Sequence, residues 1–232
     1  NREFVTHTGT LKGKRLSAIS TGIGTDNIDI VINELDALVN IDFKTKIINK
    51  EKKSLNLIRL GTSGALQSNI DIDTFLASSF GLGFDNLAHF YNNKKVLEKE
   101  MGTEYLKHSN WPQNLSEPYF VKASSSLLNI FSDLKQGITA TAPGFYGPQG
   151  RHLRIPPSIT DLHDKMESFR FDKHQITNFE METSALYYLG KSLGHNTLTI
   201  CAIIGNRINQ DYSKDYKKTV ENMIDLVLER IC

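Results

Sequence analysis

The sequence is short of several things, and each shortage narrows what the chain can be. Only two cysteines occur, Cys201 inside an apolar run and Cys232 as the last residue. That argues against a disulfide framework and for a reducing, cytoplasmic compartment. Long hydrophobic runs are missing: residues 198–205 (LTICAIIG) form one of the longest, well under the roughly 20 residues a spanning helix needs. No secretory leader is visible either. Neither sign of charge is in excess, since 27 basic residues face 26 acidic ones for a formal net charge of +1. No single-sign field is therefore left to attract nucleic acid or a membrane surface, although a local cluster can still hold a small anion. There is no CxxC, no HExxH and no Walker loop, and the seven histidines do not fall at metal-ligand spacing. Internal repeats, low-complexity tracts and a second-domain linker are also lacking.

What remains is ordinary globular material: 232 residues, 39% hydrophobic and 23% charged, enough to bury a full core in one domain spanning 1–232. The chain opens at Asn1-Arg2-Glu3-Phe4 without a methionine, so an N-terminal segment is expected to be missing. Residues 14–20 read as a strand closed by the turn Thr21-Gly22-Ile23-Gly24. Ile28, Val31, Ile32, Leu35 and Leu38 then recur at helical spacing, with Asp26 or Asn27 as N-cap. Residues 55–60 form a strand running into the loop Gly61-Thr62-Ser63-Gly64, and 71–79 another strand. The stretch 81–119 is expected to be loop with short helical pieces, with His89 packed or exposed. Met101 and Lys94, Lys95 and Lys99 are expected on a solvated helix face. A helix at 125–134, a strand at 137–142, a Gly/Pro/aromatic loop at 143–151 and a helix at 159–169 follow. Residues 178–194 give the clearest helix of the second half, stopped by Gly194. Residues 198–204 read as a buried central strand and 219–231 as a terminal amphipathic helix. The alternation predicts an α/β fold, a single-domain three-layer α/β/α arrangement around a central mixed, mostly parallel sheet.

Such sheets bind ligands outside their strand ends, and several junctions carry suitable residues. At 20–24 two glycines free backbone amides for an anion next to a helix N-terminus. At 59–64 an arginine precedes two hydroxyls and two glycines, a set that suits a tetrahedral anion. At 144–151 Gln149 and Arg151 can together match the carbonyl–imide–carbonyl edge of uracil, with Phe145 or Tyr146 as a stacking face. Glu180 and Glu182 fall in the first turn of the expected helix. Two residues apart there, they point to different sides and are not expected to share a task, though one could accept from vicinal hydroxyls. Asn206-Arg207 follows the buried strand and can reach the same crevice. Taken singly, each feature also fits a plain turn, a surface arginine, an Ω-loop or a helix-dipole device.

Taken in order, Arg2-Glu3-Phe4, STGIG (20–24), Glu34-Leu35, RLGTSGA (59–65), FYGPQGR (145–151), FEMET (179–183) and Asn206-Arg207 resemble the uridine phosphorylases of the nucleoside phosphorylase superfamily, across almost the whole chain. The resemblance implies a phosphorylase-type fold and a pentosyltransferase reaction of pyrimidine salvage, in which uridine and phosphate give uracil and ribose 1-phosphate. It assigns phosphate to Arg59, Thr62 and Gly24, with Arg2 reaching a neighbouring subunit's site. Ribose falls to Met181, Glu182 and Glu180, and the base to Gln149, Arg151, Phe145 and Arg207. Inorganic phosphate is the co-substrate and no organic cofactor is implied. The implied assembly is a homohexamer, a trimer of dimers with shared active sites. A monovalent cation such as K+ would sit at a dimer interface, where Glu3, Ile23 and Asn27 hold the matching places.

Three departures stand out. The family's Gly-Asp-Pro-x-Arg segment is not found. Thr25-Asp26-Asn27 replaces Gly-Pro-Ser, and Gly147-Pro148-Gln149 replaces Pro-Gly-Gln. Purine-cleaving relatives carry an aspartate acid where this chain has Asn206, which favours uridine. A different or broader base choice, or an inactive nucleoside-binding homologue, remains an alternative.

Overall fold

The computed structural model describes residues 4–232. The chain begins with a hairpin, β1 (Thr6–Leu11) and β2 (Lys14–Ile19), then α1 (Thr25–Asn40), a small hairpin β3 (Ile41–Asp42) and β4 (Ile47–Ile48), and the long strands β5 (Asn56–Ala65) and β6 (Phe75–Gly83). Next come α2 (Leu87–Phe90), α3 (Lys99–Ser109), β7 (Tyr119–Lys122), α4 (Ser125–Ile130), β8 (Lys135–Thr141), α5 (Leu162–Ser168) and β9 (Arg170–Phe171). The chain ends with β10 (His174–Glu180), α6 (Thr183–Leu193), β11 (Asn196–Asn206), β12 (Asp211–Tyr212) and α7 (Tyr216–Ile231).

The main sheet runs β12-β11-β5-β10-β8-β6-β7, with β9 on β10. Its long pairings, β11 with β5, β10 with β8 and β6 with β8, are parallel. The sheet also curls until β6 meets β11 antiparallel, Ile200 opposite Ala77. One core lies between the sheet and α1, α4, α6 and α7, around Ile28, Leu127, Leu186 and Met223. A second lies on the other side, under α3 and α5, around Tyr105, Met166 and Phe169.

Several elements differ from expectation, each for a physical reason. Residues 14–19 do form a strand, but among the described residues it pairs only with β1, outside the main sheet. The Thr-rich partner strand has no apolar face, and Lys12-Gly13, both at positive φ, close the pair as a two-residue turn. Residues 61–64 are not a loop: β5 continues through them because β11 pairs with it as far as Ala65. The strand expected at 71–79 is shifted to Phe75–Gly83. Met101 is 3% exposed and packs in the second core, so α3 is no solvated face there. The N-cap of α1 is Gly24, at φ 101, rather than Asp26 or Asn27.

The largest correction concerns 178–194. Residues 178–180 end a strand, held by parallel pairing with Thr139, Ala140 and Thr141 of β8, and the helix starts only at Thr183. From Thr183 to Gly190 every residue is buried, so this helix lies inside the protein. Gly190 permits that closeness: a Cβ there would stand 2.2 Å from Thr197 Cγ2.

Candidate active site

The ends of β10 and β11 and the loop after β8 bring the candidate residues together in two clusters. The first is built on Arg59. This side chain leaves the middle of β5 and folds its guanidinium back over Gly61, where a Cβ would meet Nη1 at 2.5 Å. The glycine is therefore needed to seat the arginine. Arg59 Nη1 lies 3.0 Å from Glu180 Oε2, and Nη2 donates to Glu182 Oε2. The two carboxylates thus share one partner, contrary to the helical expectation, because Glu180 belongs to a strand end and Glu182 to the turn after it.

Glu180 also caps α6. Its carboxylate accepts from Thr141 Oγ1 at 2.6 Å and from the amides of Glu182 at 2.9 Å and Thr183 at 3.0 Å. Negative charge is favoured at that helix N-terminus. Glu182 Oε1 accepts the Gly24 amide at 2.7 Å. Two donors expected to face an anion, the Gly24 amide and the Arg59 guanidinium, are therefore both on Glu182. Burial raises the Glu182 carboxyl above its ordinary pKa and Glu180 adds to this, while Arg59 works against it. For Arg59, burial favours the neutral form, but Glu180 and Glu182 outweigh it and the guanidinium pKa is raised. Behind it, the buried Cys201 thiol is pushed up to about 11 by desolvation, which leaves it unreactive.

Of the two neighbouring hydroxyls, Thr62 is exposed and Ser63 is turned inward, accepting from Asn178 Nδ2 at 2.9 Å. Met181 sits partly exposed in the turn between β10 and α6. Arg2 and Glu3 lie outside the described residues. Ile23 is 70% exposed and its carbonyl accepts from Asn27 Nδ2 at 3.0 Å.

The second cluster is built on Gln149, Arg151 and Arg207. The loop after β8 tightens into a single turn at Gly147–Gln149, started by Pro148 and ended by Gly150 at φ 66. Gln149 is 3% exposed. Its Oε1 accepts from Arg151 Nη1, which also donates to the Phe145 carbonyl at 2.5 Å. The Arg151 guanidinium lies 3.7 Å over the Phe145 ring, a cation–π contact. Arg207, just past β11, donates to the Gln149 carbonyl at 3.1 Å and lies 2.8 Å from His163 Nε2. Its Nη2 is buried without a partner among the described residues. Burial, with Arg151 nearby, lowers the Arg207 pKa to about 10, so it stays cationic at neutral pH.

Asn206 does not enter the crevice: its amide donates to the Gln67 and Ile70 carbonyls, and its oxygen accepts the Ile208 and Asn209 amides. β10 joins the clusters, since Glu180 ends it on Arg59 while the preceding Phe179 ring lies 6.0 Å from the Arg207 guanidinium. Beside the loop opens a cavity of about 750 Å³, walled by Phe84, Trp111, Pro143, Tyr146, Pro148 and Arg151. His163 is the member that sequence reasoning missed. It is a lone histidine on a short helix, and no spacing tied it to Arg207.

Together these clusters define a class: an α/β protein with a buried, carboxylate-balanced guanidinium at one end and a polar, arginine-bearing loop at the other. The chain belongs to the phosphorylase superfamily, whose sequence model matches residues 1–232. It is 29% identical to a uridine phosphorylase of Thermococcus kodakarensis, over 94% of this chain and 68% of that protein. To a DeoD-type purine nucleoside phosphorylase of Brevibacillus brevis it is 27% identical, over 98% of this chain and 80% of the relative. A solved Trypanosoma brucei nucleoside phosphorylase, described as showing uridine phosphorylase activity, shares the fold. Its TM-score is 0.84 at 24% identity, covering 99% of this chain and 83% of that one. Among the described residues, no helix is long and apolar enough to cross a membrane.

Proposed function

We propose that the protein is a uridine phosphorylase, cleaving uridine with inorganic phosphate to uracil and ribose 1-phosphate in cytoplasmic pyrimidine salvage. The observation that carries this reading is the polar end of the site. Gln149, Arg151 and Arg207 offer an amide and two guanidinium groups, and none of their hydrogen bonds among the described residues involves a carboxylate. Such a set stabilises a ring departing as an anion, while offering no acid to protonate a purine.

Breaking the N-glycosidic bond leaves positive charge on the ribose and carries the electron pair to the base nitrogen. A phosphate oxygen forms the new bond to the anomeric carbon. Phosphate at Arg59 and Thr62 faces the first charge, and Arg151 with Gln149 faces the second. This is preorganised electrostatics and needs no covalent intermediate. Phosphate entering at Arg59 takes over the two donors now held by Glu182. The released carboxylate is then free to accept from the ribose hydroxyls beside Met181.

The assembly proposed with this activity is a hexamer, a trimer of dimers, whose sites borrow Arg2 from a neighbour. Self-association is supported by the β3–β4 hairpin, where Phe43, Ile47 and Ile48 are 62%, 65% and 60% exposed. A K+ ion at the dimer interface belongs to the same proposal.

The test is to incubate the protein with phosphate and single nucleosides and to measure released base. Uridine is expected to be cleaved best. Good cleavage of inosine or adenosine with none of uridine would overturn the base assignment, an outcome that similarity to a DeoD-type enzyme makes worth measuring. Uridine binding without any turnover in a full-length chain would point instead to an inactive homologue.

A further inference from the structure

His163 stands behind the base-reading loop on α5, whose Leu162 also lines the neighbouring cavity. Its Nε2 is 2.8 Å from Arg207 Nη1 and 2.8 Å from the Gln149 carbonyl oxygen, and the same Nη1 is 3.1 Å from that oxygen. The ring is wedged in place. Gly150 presents a bare Cα to it, since a Cβ there would come within 2.9 Å of Cε1. Phe179 meets it edge-on, with ring centroids 6.4 Å apart at 89°.

A guanidinium only donates and a carbonyl only accepts, so Nε2 serves one of them at a time: it accepts from Arg207 when the ring proton is on Nδ1 and donates to the Gln149 carbonyl when the proton is on Nε2. Arg207 Nη1 has two hydrogens and can serve the imidazole and the carbonyl together. We propose that His163 is a positioning residue which, as the neutral acceptor of Arg207, holds that guanidinium and the Gln149 backbone in the register that reads the nucleobase. This rests on the reading that Gln149, Arg151 and Arg207 form the base end.

Arg207 Nη2 has no partner among the described residues. Its other terminal nitrogen is therefore what fixes the plane of the group, and half of that anchoring is His163. The charges facing the ring are Arg207 from the end of β11, Arg151 from the loop and Asp164 from its own helix. Burial first, then Arg207, hold the imidazole below its ordinary pKa, so it is neutral at physiological pH. Protonation would turn the acceptor into a donor and set two cations against each other. Nucleoside binding is therefore strongest above the His163 pKa and weakens as pH falls through it.

The experiment is steady-state kinetics on the full chain, varying uridine and phosphate separately, for wild type, His163→Ala, His163→Gln and Gln149→Ala across acid to neutral pH. His163→Ala is expected to raise the nucleoside KM about tenfold, as loss of a hydrogen bond to a charged group implies. The phosphate KM is expected to stay within about twofold, since Arg59 lies in the other cluster. His163→Gln offers an amide oxygen to Arg207. It should restore most of the nucleoside affinity and abolish the acid-side rise of KM expected of wild type. An unchanged nucleoside KM in His163→Ala, or an acid-side rise that persists in His163→Gln, would overturn the proposal. Should the alanine variant fail to fold, the glutamine variant and the wild-type pH profile carry the test alone. Gln149→Ala separates the two readings. If it too leaves the nucleoside KM unmoved, the base-end assignment has failed; if it raises that KM while His163→Ala does not, only the role of His163 has.

Discussion

Arg59 is the cation on which the first cluster is built. It neutralises two buried carboxylates and lies against Gly61. Arg59→Ala is expected to lower kcat/KM for phosphate by several kcal/mol, on the order of a hundredfold or more. It should also lower the melting temperature, because buried ions lose their partner at a cost of about 3–5 kcal/mol. Arg59→Lys should recover more of the stability than of the activity, since an ammonium keeps the charge but not the forked geometry. Phosphate kinetics and a thermal melt on both variants check this, and unchanged phosphate kinetics would remove Arg59 from the site. The types of the candidate residues were legible in the sequence because Arg59 stands beside a pair of glycines, Gln149 and Arg151 in a glycine-marked loop and Arg207 directly after a strand. The partnership of Glu180 with Glu182 was not. Its geometry depends on whether residues 178–180 are strand or helix, and a slip of a few residues there sends the two carboxylates to opposite sides. His163 was invisible because its role depends on distant residues brought to it by the fold.

Elements with an unambiguous period were readable: α1, α7 and the buried run of β11 stand close to where the apolar spacing puts them. Elements defined by their neighbours were not. β10 reads as part of a helix because Met181, Ala185, Leu186 and Leu189 continue its apolar run at helical spacing, yet ladder bonds from β8 win. The seat of α6 on the sheet gives a test at this scale. Gly190→Ala adds helix propensity worth up to about 1 kcal/mol, but its methyl would collide with buried Thr197, 2.2 Å away. Net destabilisation of about 1–3 kcal/mol is expected from overpacking, read by denaturant titration. Thr197→Ser removes the offending methyl, so the double variant should regain most of the loss. Additive losses would mean that the contact does not limit the packing.

For the whole molecule, an α/β domain with a mixed sheet followed from the alternation of elements, but its closure did not. β6 and β11 pair across more than a hundred residues, and no local pattern specifies such a contact. The proposed sharing of sites between subunits has a direct test. Arg2→Ala and Arg59→Ala chains, each inactive alone, should regain up to about a quarter of wild-type activity when randomly co-assembled. That fraction is the share of sites with an intact Arg59 beside a neighbour with an intact Arg2. No recovery, with mixed oligomers verified by mass spectrometry, would rule out a shared site.

The seat of Glu182 on Arg59 and the Gly24 amide has one more consequence. The protein supplies its own competitor, tethered and therefore present at a high, fixed effective concentration. At the proposed phosphate site an incoming anion would have to win by the difference between two similar interactions, so its apparent affinity would be scaled down by the fraction of molecules in which the carboxylate has let go. Changing how easily Glu182 leaves would retune that affinity without altering a single atom that touches the anion.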